Sequence, residues 1–251
     1  MIPVSVAIIT KNEELNIEDA LKSVSGFDDI VVVDSFSTDR TVEICRQYNC
    51  RVYTHEWQGY AKQKQAAVDY AENKWVFILD ADERITPELE KEITEKITLT
   101  SSFSGFFVPR KNFFLGKWIR HSGWWPDYSV RLFKKDAARL QDRAVHEKVL
   151  VDGAAGYLKC PMEHYTYRTI SDYLKKMENY STLAAEEILL KNPLMSPISL
   201  IAKTALSPIF TFLKMFFIKQ GFRDGIHGFM LAVLYSFYAF LKYAKAWEKK
   251  A

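Results

Sequence analysis

The chain has 251 residues, of which 48% are hydrophobic, so it is long and apolar enough to bury a full core. Its 34 lysines and arginines against 31 aspartates and glutamates give a net charge of +3, which is too small to predict binding to nucleic acid. Three cysteines without CxxC spacing indicate neither a disulfide framework nor a zinc site, and we expect a cytoplasmic protein without a signal peptide.

The first hundred residues alternate strand and helix patterns. Four apolar runs are typical of buried strands, namely VSVAIIT (4–10), DIVVVD (29–34), RVYTHEW (51–57) and KWVFILD (74–80). Apolar residues at helical spacing follow each of the first three runs. Strands that are apolar on both faces and joined through helices predict a parallel sheet in a doubly wound α/β fold. Thr86 as N-cap and Pro87 at the first helical position predict a further helix after the fourth strand.

The rest of the chain changes character twice. Residues 100 to 165 are rich in aromatic residues and predict short mixed strands and loops. Residues 171 to 190 then have the spacing of an amphipathic helix. Two apolar stretches follow, and because lysines and a proline interrupt them, we predict that they lie in a membrane interface rather than span it. A helical hairpin packed on the core or in a dimer interface is the alternative.

Acidic and polar residues follow three of the predicted strands. Ligands of open parallel sheets bind beyond the carboxyl ends of the strands, so these residues should line one site. The residues are Thr10 and Glu13, then Asp34, then Asp80, Asp82 and Glu83. Asp80 and Asp82 should point to the same side of an extended segment, where two carboxylates can share a hard divalent cation. The pattern therefore predicts a metal site after the fourth strand.

Four ordered motifs, VSVAIITKNEE, VVVDSFSTDRT, GYAKQKQAA and WVFILDADE, resemble those of the inverting, GT-A-type glycosyltransferases of family 2. The later GWWPDYSVRLF, VHEKV, EHYTYRTISDYLKKMENYS and GFRDGIHG resemble one branch, the lipopolysaccharide-core glucosyltransferases of the WaaE or KdtX kind. This resemblance implies a GT-A fold, Rossmann-like with a mostly parallel central sheet flanked by helices. It implies a catalytic domain over 1–165, with a nucleotide-sugar half (1–95) and an acceptor half (96–165), and an amphipathic helical extension over 166–251.

The resemblance also implies a donor site for a UDP-sugar, with UDP-glucose preferred. The donor-binding residues would be Thr10, Glu13, Asp34, Lys62 and Asp80. Asp82, together with His164, would ligate Mg²⁺ or Mn²⁺ on the diphosphate. A solvated helix lysine is the alternative for Lys62, and a structural histidine is the alternative for His164.

An inverting transfer needs a base to deprotonate the acceptor hydroxyl. By the same resemblance Glu147 is the preferred base and Asp127 the other candidate, while an exposed surface acid is the alternative for Glu147. Asp127, Arg131 and Trp124 are the predicted acceptor-binding residues. A fold-supporting salt bridge is the alternative for Arg131, and a core aromatic is the alternative for Trp124.

One position departs from the family pattern. Many members have a glycine where this chain has Phe36, in the turn Asp34 to Asp39. If that position requires a positive φ, phenylalanine must strain or reshape the turn. The departure bears on nucleotide preference and leaves Asp34 itself in place.

The sequence as a whole predicts a metal-dependent inverting glycosyltransferase at the cytoplasmic face of the inner membrane, bound peripherally. Its partners would be a UDP-sugar donor and a lipopolysaccharide-core or lipid-linked glycan acceptor, with no nucleic acid and with a homo-oligomer left open. A transferase for capsule or another surface glycan is the alternative within the same class. A noncatalytic nucleotide-sugar-binding protein is the alternative of a different class.

Overall fold

The structure is a computed structural model that describes residues 1–99, 102–141 and 148–250. The chain divides into two compact units. The first comprises Met1–Arg110 and Asp127–His164, and the second comprises Lys111–Pro126 and Tyr165–Ala251. The segment Lys111–Pro126 is thus grouped with the C-terminal helices. The division into a catalytic domain over 1–165 and a helical extension over 166–251 stays a prediction.

The first unit begins with four parallel strands joined by helices, as the sequence predicted. The strands are β1 (Ile2–Thr10), β2 (Phe27–Asp34), β3 (Arg51–Thr54) and β4 (Trp75–Asp80), and the helices are α1 (Ile17–Lys22), α2 (Thr41–Gln47) and α3 (Tyr60–Asp69). The strands lie in the order β3-β2-β1-β4, with β1 paired in parallel to both β2 and β4. This half of the sheet has the doubly wound arrangement of an α/β protein.

The remaining elements of this region make the sheet mixed rather than mostly parallel. They are β5 (Glu83–Arg84), α4 (Pro87–Leu99), β6 (Phe103–Phe114), β7 (Lys117–Trp118), β8 (Asp127–Lys134), β9 (Ala138–Gln141), β10 (Lys148–Val151), β11 (Ala154–Tyr157) and β12 (Met162–Tyr167). β8 lies between β4 and β6 and is antiparallel to both. Antiparallel neighbours need no helical crossover, and no described helix lies between β6 and β8.

The sheet buries apolar side chains on both faces, because alternate residues of a strand point to opposite sides. On β1, Ile8 packs in one cluster with Leu79 and Leu89. Its neighbour Ala7 packs in the other cluster with Val68 of α3. A sheet covered on both sides leaves its carboxyl edge as the place where polar side chains can gather.

The second unit is mainly helical. It contains α5 (Ile170–Lys191), α6 (Pro197–Leu213), a π-helical turn (Lys214–Ile218), a 3₁₀ turn (Gly221–Asp224) and α7 (Ile226–Glu248). The predicted amphipathic helix is confirmed as α5, which begins with a capping box between Thr169 and Asp172. The helical segments Pro197–Ile218 and Ile226–Glu248 are long and apolar enough to cross a membrane, with mean hydropathies of 1.5 and 1.2.

Candidate donor and catalytic site

Three of the predicted donor-site residues lie side by side at the carboxyl edge of the parallel strands. Thr10 is the register partner of Asp34, and Ile9 is the partner of Asp80. The ends of β1, β2 and β4 are therefore adjacent. This arrangement follows from parallel pairing, which brings the carboxyl ends of neighbouring strands to one edge.

Asp34 is buried and orders the turns around it. Its carboxylate accepts hydrogen bonds from Thr10 Oγ1 at 3.0 Å, from Ser37 N at 2.8 Å and from Ser37 Oγ at 2.5 Å. Between these residues Phe36 has a φ of +57° and is 59% exposed. The turn therefore does require the left-handed conformation at the position where the family pattern has glycine, and phenylalanine adopts it under strain.

The other two predicted donor residues lie at the rim of this edge. Glu13 Oε2 accepts from Asn16 Nδ2 at 2.8 Å, and Glu13 N donates to Thr41 Oγ1 at 2.8 Å, so that the turn after β1 is tied to α2. Lys62 lies on the exposed side of α3. Lys64, two residues further, is the buried lysine of this helix. Contact of Lys62 with a donor stays a prediction.

Asp80 is held between two cations of the chain. Lys64 Nζ lies 2.7 Å from Asp80 Oδ1, and Arg131 Nη2 lies 2.9 Å from Asp80 Oδ2. Burial opposes ionisation of this carboxyl, but the charges and hydrogen bonds of Lys64 and Arg131 outweigh it and hold the pKa of Asp80 well below its usual range. Asp80 is thus ionised, and each of its oxygens already faces a cation.

Glu83 has no exposed surface and connects the strand exit to the same arginine. Its Oε1 accepts from Arg131 Nη2 at 2.5 Å, and its Oε2 accepts from the backbone N–H of Asp80 at 3.0 Å. A fully buried carboxylate is tolerated only when it is paired and hydrogen-bonded, and both conditions are met here. Glu83 therefore fixes Arg131 and the backbone of Asp80 relative to each other.

The ion pairs continue to one of the predicted acceptor residues. Arg110 Nη1 lies 3.5 Å from Glu83 Oε1, and Arg110 Nη2 lies 2.7 Å from Asp127 Oδ2. Arg110 and Asp127 are register partners on β6 and β8, which places both side chains on one face of the sheet. The result is an alternating chain of charges in the order Asp127, Arg110, Glu83, Arg131, Asp80 and Lys64. We refer to it as the ion-pair chain.

The turn that follows Asp80 is braced from within by Arg84, which is buried. Its Nη1 donates to the carbonyl oxygens of Ala81 at 2.8 Å and Glu83 at 2.7 Å, and its Nη2 donates to Asn16 O at 2.8 Å. The guanidinium thereby joins the turn after β4 to the turn after β1. The positions of Asp80 and Asp82 depend on this turn.

Asp82 lies next to His164. These are the two residues that the resemblance assigned to a metal ion. His164 Nε2 is 3.6 Å from Asp82 Oδ2. Pairing of β12 with β5 places His164 opposite Glu83 and so next to Asp82. Among the described residues no group of three or more His, Cys, Asp or Glu side chains could hold a metal ion. A carboxylate and an imidazole offer two protein ligands, and a diphosphate supplies oxygen atoms of the kind that Mg²⁺ and Mn²⁺ bind, so the residues present fit an ion shared with the donor.

Two other predicted residues remain, Trp124 and Glu147. Trp124 is 9% exposed and packs edge-on against Phe114 and Tyr235 in the core of the second unit. A ring buried in this way has no free face for a sugar, so its packing agrees with the alternative of a core aromatic. Glu147 lies outside the described residues.

Sequence reasoning missed Lys64, Arg110 and the role of Glu83. Two patterns could have identified the cations. Lys64 shares a helical face with Ala61, Ala67 and Val68, all buried, which marks it as a lysine that points inward. Arg110 is two residues from Val108 on β6, so strand alternation directs it to the same face as that fully buried valine.

Comparisons with known proteins place this architecture in a class. Residues 5–165 match the model of the family described as "Glycosyl transferase family 2". The chain is 29% identical to the lipopolysaccharide core biosynthesis glycosyltransferase LpsC of Rhizobium meliloti, over 100% of this chain and 94% of that protein. It is 31% identical to the glycosyltransferase RT0209 of Rickettsia typhi, over 98% of this chain and 87% of that protein.

A solved structure has a similar fold. It is S. aureus TarS, residues 1–349, in complex with UDP-GlcNAc, with a TM-score of 0.50 and 16% sequence identity over 98% of this chain and 90% of that chain. The predicted GT-A fold is confirmed, with the mixed sheet described above. The protein is a glycosyltransferase. More particularly, the chain belongs to glycosyl transferase family 2.

Proposed function

We propose that this enzyme transfers a hexose, with glucose from UDP-glucose preferred, to a lipopolysaccharide inner-core or lipid-linked acceptor with inversion at the anomeric carbon. The observation that carries the proposal is the meeting of the strand exits with the ion-pair chain and the Asp82–His164 pair at one edge of the sheet. The acceptor class is supported by the full-length similarity to LpsC. The UDP-sugar donor rests on the motifs of the sequence.

Charge supports a divalent cation in the donor site. The ion-pair chain together with Asp82 carries four carboxylates and three permanent cations. An incoming diphosphate brings negative charge close to Asp82, and a cation between them would offset this repulsion. Asp82 and His164 would hold this ion. When bound, it would offset the negative charge that develops on the departing diphosphate.

The chain's own residues position the reactants. Asp80 is kept ionised by Lys64 and Arg131, so it can accept hydrogen bonds from a ribose hydroxyl without taking up a proton. Transfer requires that a base removes the proton of the acceptor hydroxyl while its oxygen bonds to the anomeric carbon and the diphosphate leaves with the bonding electrons. Glu147 is the base that we propose. Asp127 is less suited because its carboxylate is already engaged by Arg110, at 2.7 Å.

Release of UDP from UDP-glucose in the presence of Mn²⁺ and extracted lipopolysaccharide tests the proposal. Asp82→Ala and His164→Ala should each lower Mn²⁺ binding, measured by titration calorimetry with UDP present, and should lower turnover. Asp136→Ala is the matched control, because Asp136 is an exposed acid in the turn Lys135–Ala137. Wild-type turnover in Asp82→Ala and Glu147→Ala would contradict the mechanism.

A second readout separates the alternatives that the sequence left open. A thermal-shift screen of sugar nucleotides identifies the donor, since a ligand that binds only the folded protein raises its melting temperature. Turnover with another sugar nucleotide and a capsule-type acceptor would indicate a transferase for a different surface glycan. Binding without turnover on any acceptor would indicate the noncatalytic alternative.

We also propose that the enzyme works at the cytoplasmic face of the inner membrane, bound peripherally. A lipid-linked acceptor is held in a membrane, and the two long apolar helices of the second unit offer a means of reaching it.

A further inference from the structure

The helices α6 and α7 have an apolar surface that the described chain leaves exposed. Side chains at helical spacing form one stripe on each helix, and all are between 43% and 67% exposed. The stripes contain Leu206, Phe210 and Leu213 on α6, and Phe229, Val233 and Phe237 on α7. We call this surface the apolar face. Contiguous apolar surface of this kind is rare on monomeric soluble proteins and indicates a partner.

The turn between the two helices is basic. Lys214, Lys219 and Arg223 are exposed in it, and Lys117 and Arg120 of the segment Lys111–Pro126 join them. We call these five residues the basic tip. Exposed apolar side chains lie among the charges, since Ile218 is 73% and Ile226 is 61% exposed.

The acid of this turn does not neutralise the basic tip at its surface. Asp224 is the only acid between residues 193 and 247, and it is 3% exposed. Its carboxylate points inward, where it accepts from Arg120 N at 3.3 Å, from His121 N at 2.9 Å and contacts His121 Nδ1 at 3.1 Å. The carbonyl oxygen of Lys219 accepts from Ser122 N at 2.9 Å. The tip is therefore a fixed structure in which the negative charge is enclosed while Lys214, Lys219 and Arg223 are exposed.

Close packing adds to this rigidity. A Cβ atom at Gly228 would overlap the carbonyl oxygen of Gly221, and one at Gly221 would overlap Ser122 Oγ. Only glycine fits at these two positions. The first turn of α7 thus packs directly on the backbone of the 3₁₀ turn, and the basic residues are presented in one arrangement.

The contacts at the two ends of α7 indicate that the helices lie along a membrane rather than across it. At its start, α7 follows Asp224, whose carboxylate accepts hydrogen bonds from the backbone N–H groups of Arg120 and His121. At its end, Lys245 Nζ lies 2.7 Å from Glu178 Oε1 and Lys249 Nζ lies 2.5 Å from Glu186 Oε1, both on α5. Helix α5 packs along α7 and carries seven charged residues over its 22 positions. To cross a bilayer, α7 would have to carry charged α5 into hydrocarbon or break these ion pairs.

We propose that α6 and α7 form an in-plane membrane anchor, in which the apolar face enters the interface of a bilayer and the basic tip binds the head groups of anionic phospholipids. The combination of an exposed apolar stripe with basic residues at its edge fits this partner by both polarity and charge. Lys242 and Lys245 take no part. Lys242 lies over the rings of Tyr238 and Tyr243, and Lys245 is bound to Glu178.

The anchor deepens the proposed location of the enzyme and can be tested apart from its chemistry. The full-length protein is sedimented with preformed vesicles of phosphatidylcholine alone or mixed with phosphatidylglycerol. We expect stronger binding to the anionic vesicles and release by high salt. Equal binding to both kinds of vesicle would overturn the proposal. Binding that high salt does not reverse would also overturn it and would favour a hairpin that spans the membrane.

Two variants separate the basic tip from the apolar face. Lys219→Gln with Arg223→Gln should weaken binding to anionic vesicles about thirtyfold, since each basic residue near a charged surface contributes about fivefold. The control is Lys91→Gln with Lys175→Gln, exposed lysines with the same change in charge. Phe210→Ser, in the apolar face and 67% exposed, should weaken binding to both vesicles about tenfold, whereas Leu99→Ser, at a position that is 79% exposed on α4, should not.

The remaining outcomes are also decisive. Unchanged binding in the Lys219 and Arg223 variant would exclude the basic tip as the lipid site. A dimer in light scattering that Phe210→Ser dissociates would show that a second copy of the chain, rather than lipid, covers the apolar face. UDP release by the same variants on detergent-dispersed acceptor should remain at the wild-type level, so loss of lipid binding and failure of the proposed transfer can be told apart.

Discussion

Glu83 is the residue whose replacement tests the ion-pair chain most directly. Its carboxylate is fully buried and accepts from Arg131 Nη2 at 2.5 Å and from Asp80 N at 3.0 Å. Glu83→Gln preserves the shape of the side chain and removes the charge. One oxygen of the amide can still accept a hydrogen bond, but the amide nitrogen then faces either the guanidinium of Arg131 or the N–H of Asp80, and both are donors.

The expected loss of stability follows from these contacts. Removing one partner of a buried ion pair costs about 3–5 kcal/mol when the other charge is left without compensation. Arg131 keeps Asp80 at 2.9 Å, so its charge remains partly balanced. We therefore expect a smaller cost, about 2–3 kcal/mol. In a protein of this size that lowers the melting temperature by roughly 5–10 °C.

Urea unfolding followed by circular dichroism measures this change, and UDP release measures its effect on turnover. We expect turnover to fall at least about tenfold, because Arg131 and the backbone of Asp80 lose the group that holds them together. Glu95→Gln is the matched control. Glu95 is exposed on α4, and its replacement should change the free energy of unfolding by less than about 0.5 kcal/mol.

If Glu83→Gln unfolded at the same urea concentration as Glu95→Gln and retained wild-type turnover, Glu83 would not stabilise the ion-pair chain. A double-mutant cycle with Arg131→Met gives a further check. The two side chains are in direct contact, so the combined loss should be smaller than the sum of the single losses by roughly 1–3 kcal/mol. Additive losses would mean that the contact at 2.5 Å contributes nothing.

Three further outcomes are expected. The pKa of Asp80 is lowered in the folded protein by Lys64 and Arg131, so the stability that this carboxylate contributes is present above its unfolded pKa of about 4 and is lost as the pH falls below that value. Urea midpoints measured between pH 7 and pH 3 should therefore fall more steeply for the wild type than for Asp80→Asn. Parallel curves would contradict this expectation. Phe36→Gly should stabilise the protein by about 0.5–1 kcal/mol by relieving a positive φ, whereas Phe36→Ala, which keeps the Cβ atom, should bring no gain. Trp124→Ala should lower the free energy of unfolding by about 3–5 kcal/mol, because Trp124 is a core residue. Unchanged stability with an effect only on the KM of the acceptor would instead support the predicted role of Trp124 in sugar binding.

The parallel half of the sheet and the long helices could be predicted because their patterns are local. Continuous apolar runs indicate strands buried on both faces, and the Thr86–Pro87 signal located the start of α4, where Leu89 N donates to Thr86 Oγ1. The antiparallel half could not be predicted in the same way. Pairing of β8 with both β4 and β6 depends on contacts between residues distant in sequence, and no local pattern specifies such partners.

The sequence predicted a set of site residues but not the contacts between them. Alternation along a strand placed Asp80 and Asp82 on one side, but β4 ends at Asp80 and the chain turns immediately, so the two-residue period no longer applies. The cations that meet Asp80 come from a helix and from an antiparallel strand, respectively 16 residues before it and 51 residues after it. No motif joins residues over such separations.

The turn after β4 explains why one short acidic motif can serve two purposes. Asp80 remains at the end of a strand, where the charges of Lys64 and Arg131 lower the pKa of its carboxyl. Asp82 lies beyond the bend, next to the imidazole of His164, a side chain of the type that binds metal ions. Glu83 returns to the interior and secures the arginine that Asp80 needs. The first and third acids are therefore bound by the chain's own cations, and the second is the acid of the motif that the fold places beside a metal-binding type of partner.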